Sequence, residues 1–515
     1  MFFIALSPII WLVVALTILK IAASKACPIA LAIALVAALF THGMTPMHAV
    51  ESVLEGVALA CWPILLVIVA AIFTYNLSMH TRGVDTIKRM LTSMSSDVRV
   101  LVLLIGWGFG GFLEGMAGFG TAIAIPAGML AGIGINPVLS ASVCLIANSV
   151  PTAYGSIGIP LVTLANVTGI DARTLATFTS LQLAPLTILC PFLMVIVTGK
   201  SFKALKGMAL MCLASAVTFL VPEFLVSYTM GPELAVVAGS ICSMATIVFI
   251  ANRFPVHDEK YLLPPPKKVR EKDKRPVTPK EGLIAWLPFI LIFFFLLLTS
   301  KLVPFIHDPL NLIKTTVPIY TGEGGTPYTF TWVATPGVLI FLAAFIGGHV
   351  QGAKMGIMLA VLKRTVKNLR STMVTIITVI ATAKVMGYSG MTAEIASVAV
   401  AATGTMYPAI AAFIGSVGTF ITGSGTSSCV LFGKLQTARA EAIGASETVQ
   451  AWIAAANATG ACAGKMISPQ SIAIAVGSIG VGGADGKLLA FAVKFFIPFI
   501  IFMGIIVYLG QALVG

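Results

Sequence analysis

The chain has 515 residues, of which 58% are hydrophobic and 10% are charged, and its mean hydropathy is +1.00. Soluble domains carry about 25% charged residues, so this composition excludes a soluble globular protein and favours the lipid bilayer as the solvent. The formal charge of +13 does not indicate nucleic-acid binding. The basic residues lie in short loops between apolar runs, as the positive-inside rule requires.

The first half of the chain predicts a series of membrane-spanning helices of roughly 20 residues each. Its N-terminal run has no positive n-region and no small-residue cleavage site, so we interpret it as a span and not as a signal peptide. Residues 42–55, with two acids and no Lys or Arg, are predicted to form a polar loop. The spans predicted in this half are 2–19, 27–41, 57–79, 98–113, 175–197, 207–221 and 235–251.

A charged stretch from Arg253 to Lys280 holds nine basic residues against four acids and predicts a solvated linker. It divides the chain into a first transmembrane half (1–251), a basic cytoplasmic linker (252–280) and a second transmembrane half (281–515). The predicted fold class is an all-α polytopic membrane protein with about 12–14 transmembrane helices. The spans predicted in the second half are 281–299, 337–350, 371–387, 406–420 and 488–509.

Two glycine-rich, polar segments, 110–160 and 423–478, match each other. The separation is 305 residues for Gly118 with Gly423, Gly120 with Gly425 and Thr121 with Thr426, and 309 residues for Asn148 with Asn457. This recurrence is typical of transporters with two inverted repeats, each with a re-entrant hairpin and a broken helix. For any single glycine, close packing between helices is the better interpretation.

The distribution of Lys and Arg predicts the topology. Basic loops are expected in the cytoplasm and the N-terminus outside, so the two glycine-rich segments enter from opposite faces. The chain must then cross the membrane an odd number of times between the outer end of the span 98–113 and the cytoplasmic loop 199–206. A hairpin that does not cross, followed by two helices, gives an even number. The sequence leaves open which broken element within residues 115–198 accounts for the difference. The loops assigned to the cytoplasm are 20–25, 80–99, 199–206, 252–280 and 351–370.

Glu114 follows a long apolar span and precedes the first glycines. An ionisable group inside a span is costly and is a functional hypothesis by default. We expect it to be the proton-coupling residue, because a carboxyl in apolar surroundings suits reversible proton binding. A structural cap on a half-helix is an equal alternative.

The polar residues of the two segments form the predicted substrate site. Amides and hydroxyls suit a carboxylate and a hydroxyl group, Lys465 supplies positive charge, and half-helix N-termini direct N–H groups at an anion. One alternative is that the two asparagines hydrogen-bond to unwound backbone. Another is that Lys465 extends its ammonium group to the membrane interface. The predicted substrate-binding residues are Gly118, Gly120, Thr121, Asn148, Ser149, Ser424, Thr426, Ser427, Asn457 and Lys465.

The sequence contains no nucleophile–base pair, metal-ligand spacing or phosphate-binding loop, so we expect no enzyme activity, cofactor or metal. The eight cysteines lie in apolar or small-residue segments and are interpreted as packing residues. Lys384 is a second charge in an apolar run.

Several motifs resemble the lactate permease family, and the match is colinear over nearly the whole chain. The resemblance implies a multi-pass transporter of the bacterial or archaeal cytoplasmic membrane that moves lactate or glycolate with protons. By analogy it also implies elevator-like movement and a homodimer. The motifs are GFLEGMAGFGT (111–121), LIANSVPTAYGSIGIP (145–160), FITGSGTSSCVLFGKLQ (420–436), AANATG (455–460) and GKMISPQSIAIA (464–475).

Glu114, Asn148, Asn457 and Lys465 match positions of the family's motifs. The chain departs from the family's GSDTSSN motif, because Gly425 stands at the position of its Asp and Cys429 at the position of its Asn. It also departs at Lys384, where the family usually has an apolar residue.

From the matching motifs we expect a proton symporter of lactate or glycolate. The alternative is a transporter of another small organic anion, a sulfonated hydroxy acid or a dicarboxylate, with sodium as the coupling ion. A membrane-embedded enzyme and a passive channel are less favoured.

Overall fold

A computed structural model provides the structure of the protein. It describes residues 2–15, 19, 21, 23–118, 120–254, 258–263, 277–299, 303–323, 325, 327–392, 394–395, 404–479, 481 and 484–514. Most of the predicted linker, residues 255–257 and 264–276, lies outside the described residues.

The described residues of the first half form eleven α-helices. A 3₁₀ turn, Pro151–Tyr154, precedes the eighth. The helices are α1 (Phe2–Val13), α2 (Ala23–Phe40), α3 (Pro46–His80), α4 (Gly83–Thr92), α5 (Val98–Met116), α6 (Thr121–Gly132), α7 (Pro137–Asn148), α8 (Gly155–Thr168), α9 (Ala172–Gly199), α10 (Ala209–Thr229) and α11 (Ala235–Arg253).

The described residues of the second half form nine α-helices and one antiparallel hairpin. In the hairpin, β1 (Lys314–Val317) pairs with β2 (Tyr328–Thr331), and Lys314 lies opposite Thr331. The helices are α12 (Pro279–Leu298), α13 (Pro304–Asn311), α14 (Pro336–Val350), α15 (Met355–Tyr388), α16 (Tyr407–Thr422), α17 (Gly425–Ala442), α18 (Glu447–Ile467), α19 (Pro469–Ile479) and α20 (Asp485–Val514).

The prediction of an all-α polytopic membrane protein is confirmed. Within the described residues, eight helices are long and apolar enough to cross a bilayer: α3, α5, α9, α10, α11, α12, α15 and α20. A ninth candidate is the pair α7 and α8, which is bent by 64°. The predicted total of about 12–14 also counted shorter apolar helices such as α1, α2 and α14, which have 10–17 residues in their apolar runs.

The predicted polar loop at 42–55 is wrong, because α3 already begins at Pro46. Proline is favoured in the first turn of a helix, where no N–H is needed, and the side chain of Thr45 accepts a hydrogen bond from the N–H of His48 at 3.2 Å. The two acids of the expected loop are therefore buried on a helix, with Glu51 6% and Glu55 2% exposed.

The core is most enclosed around α5, whose apolar window is 94% buried, against 28% for α20. The start of α5 anchors a short part of the predicted linker. The guanidinium of Arg99 lies 4.1 Å from the ring centroid of Tyr261, and the Arg99 side chain also donates to Asp97 Oδ2 at 2.7 Å. The described residues 258–263 therefore pack against the helical bundle and are not a purely solvated linker.

Both glycine-rich segments interrupt helices. The break between α5 and α6 holds Gly118 and Gly120 with φ of +58° and +87°, and Gly423 has φ of +70° in the break between α16 and α17. These left-handed conformations are routine for glycine alone. The later breaks differ in position, because α7 ends at Asn148 whereas α18 continues beyond Asn457 to Ile467.

The close contact of α16 with α18 depends on glycine. A Cβ atom at Gly460 would collide with the carbonyl of Ala412, and one at Gly464 with the carbonyl of Ser416. Small residues let two helical backbones approach in this way inside a membrane.

We expect Gly460→Val to destabilise the fold, because overpacking a core costs about 1–3 kcal/mol. The measurement is the thermal unfolding temperature of the purified protein in detergent. Gly477→Val is the matched control, since a Cβ atom there meets nothing within 4 Å. Equal unfolding temperatures for Gly460→Val and the wild type would contradict the proposed packing.

Candidate functional site

A cavity of about 420 Å³ lies where the breaks of the two segments meet. Its wall is rich in hydroxyl groups and holds one acid and one cation. It is formed by Glu114, the break at 152–160, residues 371–376 of α15, the turn 420–427, Lys465 and Gln470.

The N-terminus of α17 forms one wall of this cavity. Ser424 is its N-cap, and the Ser424 hydroxyl accepts from the N–H of Ser427 at 3.2 Å. Gly425 and Thr426 occupy the first turn, where backbone N–H groups have no partner within the helix. The positive end of a helix dipole and these N–H groups can together hold an anion.

Lys465 provides the positive charge of the cavity. Its side chain is 6% exposed, and Nζ donates to the carbonyl oxygen of Gly423 at 2.7 Å. Lys465 lies in the last turn of α18, where a cation is favoured by the helix dipole. It therefore ties the end of α18 to the turn that begins α17.

Glu114 lines the same cavity as Lys465 and is 3% exposed. The two charged groups lie within electrostatic range of each other. The Oε1 atom of Glu114 packs against Gly155, where a Cβ atom would come within 2.7 Å of it. Its Oε2 atom is buried and has no hydrogen-bond partner among the described residues. This oxygen is free to bind a proton or a polar group of a ligand.

The backbone next to Glu114 is strained. Ser156 and Ile157 have φ of +49° and +58°, a left-handed conformation that costs of order 1–3 kcal/mol for residues other than glycine. The Ser156 hydroxyl donates to the carbonyl of Ala117 at 2.7 Å and holds this break against the end of α5. The break thereby fixes the position of Gly155 beside the Glu114 carboxyl.

Five of the eleven predicted site residues line the cavity: Glu114, Ser424, Thr426, Ser427 and Lys465. Gly118, Gly120 and Thr121 lie outside its lining. Gly118 packs against Ser156 and Gly120 against Ile474, while the Thr121 hydroxyl donates to the carbonyl of Gly118 at 2.8 Å.

Asn148, Ser149 and Asn457 also lie outside the lining. Asn148 Nδ2 donates to Thr152 Oγ1 at 3.4 Å, and Thr152 itself lines the cavity. Asn457 is fully buried, and its Oδ1 accepts from Gln436 Nε2 at 3.2 Å, which joins α18 to α17. Ser149 donates to the carbonyl of Ile146 at 2.6 Å and borders a separate, mainly apolar cavity.

The hydroxyl groups of α15 were not predicted from the sequence. Ser371, Thr372 and Thr375 line the cavity opposite the N-terminus of α17. Ser371 and Thr375 lie one helical turn apart, and this spacing at the start of the predicted span 371–387 was the available signal.

Lys384 forms an ion pair that the sequence analysis also missed. Its Nζ lies 2.6 Å from Glu55 Oε1, and the hydroxyl of Tyr388 donates to the same oxygen at 2.8 Å. The pair joins α15 to α3 and borders two further cavities of about 410 and 380 Å³. Within the described part of the chain, no group of three or more His, Cys, Asp or Glu residues could hold a metal ion.

Comparison with known proteins assigns a family. The model of the L-lactate permease family matches residues 1–514. An L-lactate permease of Streptococcus iniae is 44% identical over 437 residues, which cover 84% of this chain and 89% of that protein. The glycolate permease GlcA of Escherichia coli is 33% identical over 536 residues, 98% of this chain and 95% of that protein. An L-lactate permease of Salmonella typhimurium is 33% identical over 526 residues.

We expect a cysteine at Thr426 to react with a water-soluble thiol reagent roughly tenfold faster than one at Ser149, because only the thiolate reacts and it forms in contact with water. The background protein carries serine at the exposed Cys61 and Cys242. Labelling of the purified protein is followed by mass spectrometry. Equal rates at the two positions would show that the cavity is no more accessible to water than the surroundings of Ser149.

Proposed function

The chain belongs to the L-lactate permease family, and on this premise we propose that it takes up lactate or glycolate together with protons across the cytoplasmic membrane. The resemblance found in the sequence is thereby confirmed at the level of the family, whose members are permeases and not enzymes. The observation that carries the proposal is the joint presence of Lys465, Glu114 and the N-terminus of α17 around one cavity.

The substrate carboxylate binds between the first turn of α17 and Lys465. The N–H groups of Gly425 and Thr426 and the Lys465 ammonium are the donors, and a charge-assisted hydrogen bond is stronger than a neutral one. The hydroxyl group of a 2-hydroxy acid has partners among the hydroxyls of Ser427 and Thr375. The site thus recognises both functional groups of lactate and glycolate.

Glu114 couples the proton to the anion through charge balance. In the empty site the Glu114 carboxylate compensates the Lys465 ammonium. A bound carboxylate adds a second negative charge, which is costly in a buried site. Protonation of Glu114 removes this excess and leaves Lys465 paired with the substrate. Binding of the anion therefore favours binding of the proton, and binding of the proton favours binding of the anion.

We also propose two inverted repeats, in halves 1–251 and 281–515, joined by a cytoplasmic linker at 252–280. The supporting observation is that the break between α5 and α6 matches the break between α16 and α17. In this arrangement the two repeats face the bilayer from opposite sides around one central site.

The alternative substrate, a sulfonated hydroxy acid or a dicarboxylate with sodium coupling, is not favoured, because the curated relatives described above are lactate and glycolate permeases. Gly425 lies in the cavity wall, and a Cβ atom there would have Thr152 Cγ2 at 3.6 Å as its nearest neighbour. This departure from the family motif leaves space beside the anion-binding turn and bears on the choice among small hydroxy acids.

We expect purified protein in proteoliposomes to accumulate L-lactate when the outside is made acidic, with potassium as the only alkali cation. A proton-coupled carrier reaches at least about tenfold accumulation per pH unit, because the driving force is tenfold in proton concentration. Radiolabelled lactate is measured with and without a protonophore. Accumulation that requires a sodium gradient instead would contradict proton coupling.

We expect Glu114→Gln to accumulate less lactate under a pH gradient than the wild type, while it retains exchange of internal for external lactate. The amide keeps the size and polarity of the carboxyl but cannot release a proton, so the lactate ratio falls about tenfold per pH unit relative to the wild type. Glu441→Gln, an exposed acid on α17, is the control. A Glu114→Gln protein that accumulates as much lactate as the wild type would exclude Glu114 as a proton carrier.

A further inference from the structure

Glu223 is a further buried acid, and it does not belong to the cavity. It lies on α10, directly after Pro222, and is 0% exposed. Neither of its carboxyl oxygens has a hydrogen-bond partner among the described residues. A carboxylate in this position would be isolated from water and from any countercharge, which strongly favours the neutral, protonated form.

The groups around Glu223 are polar but not cationic. The phenol of Tyr154 and the thiol of Cys462 lie within its electrostatic range. The Tyr154 hydroxyl donates to the carbonyl of Ala176 at 2.6 Å and accepts from Ser227 at 3.4 Å. Ser227 lies one helical turn after Glu223, so the Ser227 hydroxyl and the carboxyl lie on the same face of α10.

One backbone break connects Glu223 to Glu114. Gly155 touches Oε1 of Glu114, and the preceding residue, Tyr154, lies within electrostatic range of Glu223. Cys462 lies within electrostatic range of both acids. The strained residues Ser156 and Ile157 follow Gly155 directly, so any displacement of this break would change the positions of Gly155 beside Glu114 and of Tyr154 together.

We propose that Glu223 binds a second proton, which is transported together with the anion and the proton on Glu114. The inference rests on the proposed function of the cavity. Outside the cell one proton adds to each carboxylate, and inside both protons return to water. No other bond forms or breaks. Two protons and one monocarboxylate carry one net positive charge per cycle.

The test is the response of uptake to voltage in proteoliposomes. With equal pH on both sides, potassium and valinomycin impose an inside-negative potential. The wild type is expected to reach about tenfold lactate accumulation at a potential of about 59 mV, because one net charge enters per lactate. Glu223→Gln is expected to show no voltage-driven accumulation, since one proton and one anion are neutral together. Glu233→Gln, an acid in the loop after α10, is the matched control and should respond like the wild type.

A pH gradient separates the two proposals. At one pH unit, Glu223→Gln should still accumulate lactate about tenfold, against about a hundredfold for the wild type, because it keeps one of two coupled protons. Wild-type uptake that follows the pH gradient but ignores voltage would overturn the second proton and leave the proposed function intact. Wild-type protein without uptake under either gradient would overturn the proposed function itself. Lactate exchange by Glu223→Gln checks its folding, and voltage-driven accumulation by that variant at the wild-type level would overturn Glu223 as the site of the second proton.

Discussion

The burial of the Lys465 ammonium is the constraint on which the rest of the site depends. A cation inside a membrane protein is tolerated when polar partners compensate it. Here the carbonyl of Gly423 at 2.7 Å provides one partner, and Glu114 provides a countercharge across the cavity. The carbonyl is available because Gly423 is left-handed and ends α16. The same turn begins α17, so the interaction that stabilises the lysine also sets the first turn of α17 in the cavity wall.

Much of the site could be predicted from the sequence because ionisable residues and glycines are unusual in apolar spans. Glu114 and Lys465 were found in this way, and both lie in the cavity. The match between the two segments also led to Ser424 and Thr426. It could not separate cavity-lining residues from those behind them. Asn148 and Asn457 occupy matching positions in sequence, yet each is held by a neighbouring side chain away from the cavity.

Other features depend on contacts between distant parts of the chain, which a single sequence does not show. Glu55 is 329 residues from its partner Lys384, and the hydroxyls of α15 meet the cavity only through packing. The start of α3 is a different case. Thr45 and Pro46 are a recognisable N-cap and first helical residue, but the polar composition of 42–55 outweighed this local signal.

The ion pair between Lys384 and Glu55 has a mechanical consequence for α15. Near this pair the backbones of Gly56 and Ala381 are in close contact, so α3 and α15 are joined by both charge and packing. The other part of α15 carries Ser371 and Thr375 into the cavity. One side of the cavity is therefore carried by a helix that is joined to α3, whereas the other side is formed by Glu114, the turn before α17 and the end of α18. Any displacement of α15 at the cavity would either move α3 with it or break the contact between Lys384 and Glu55.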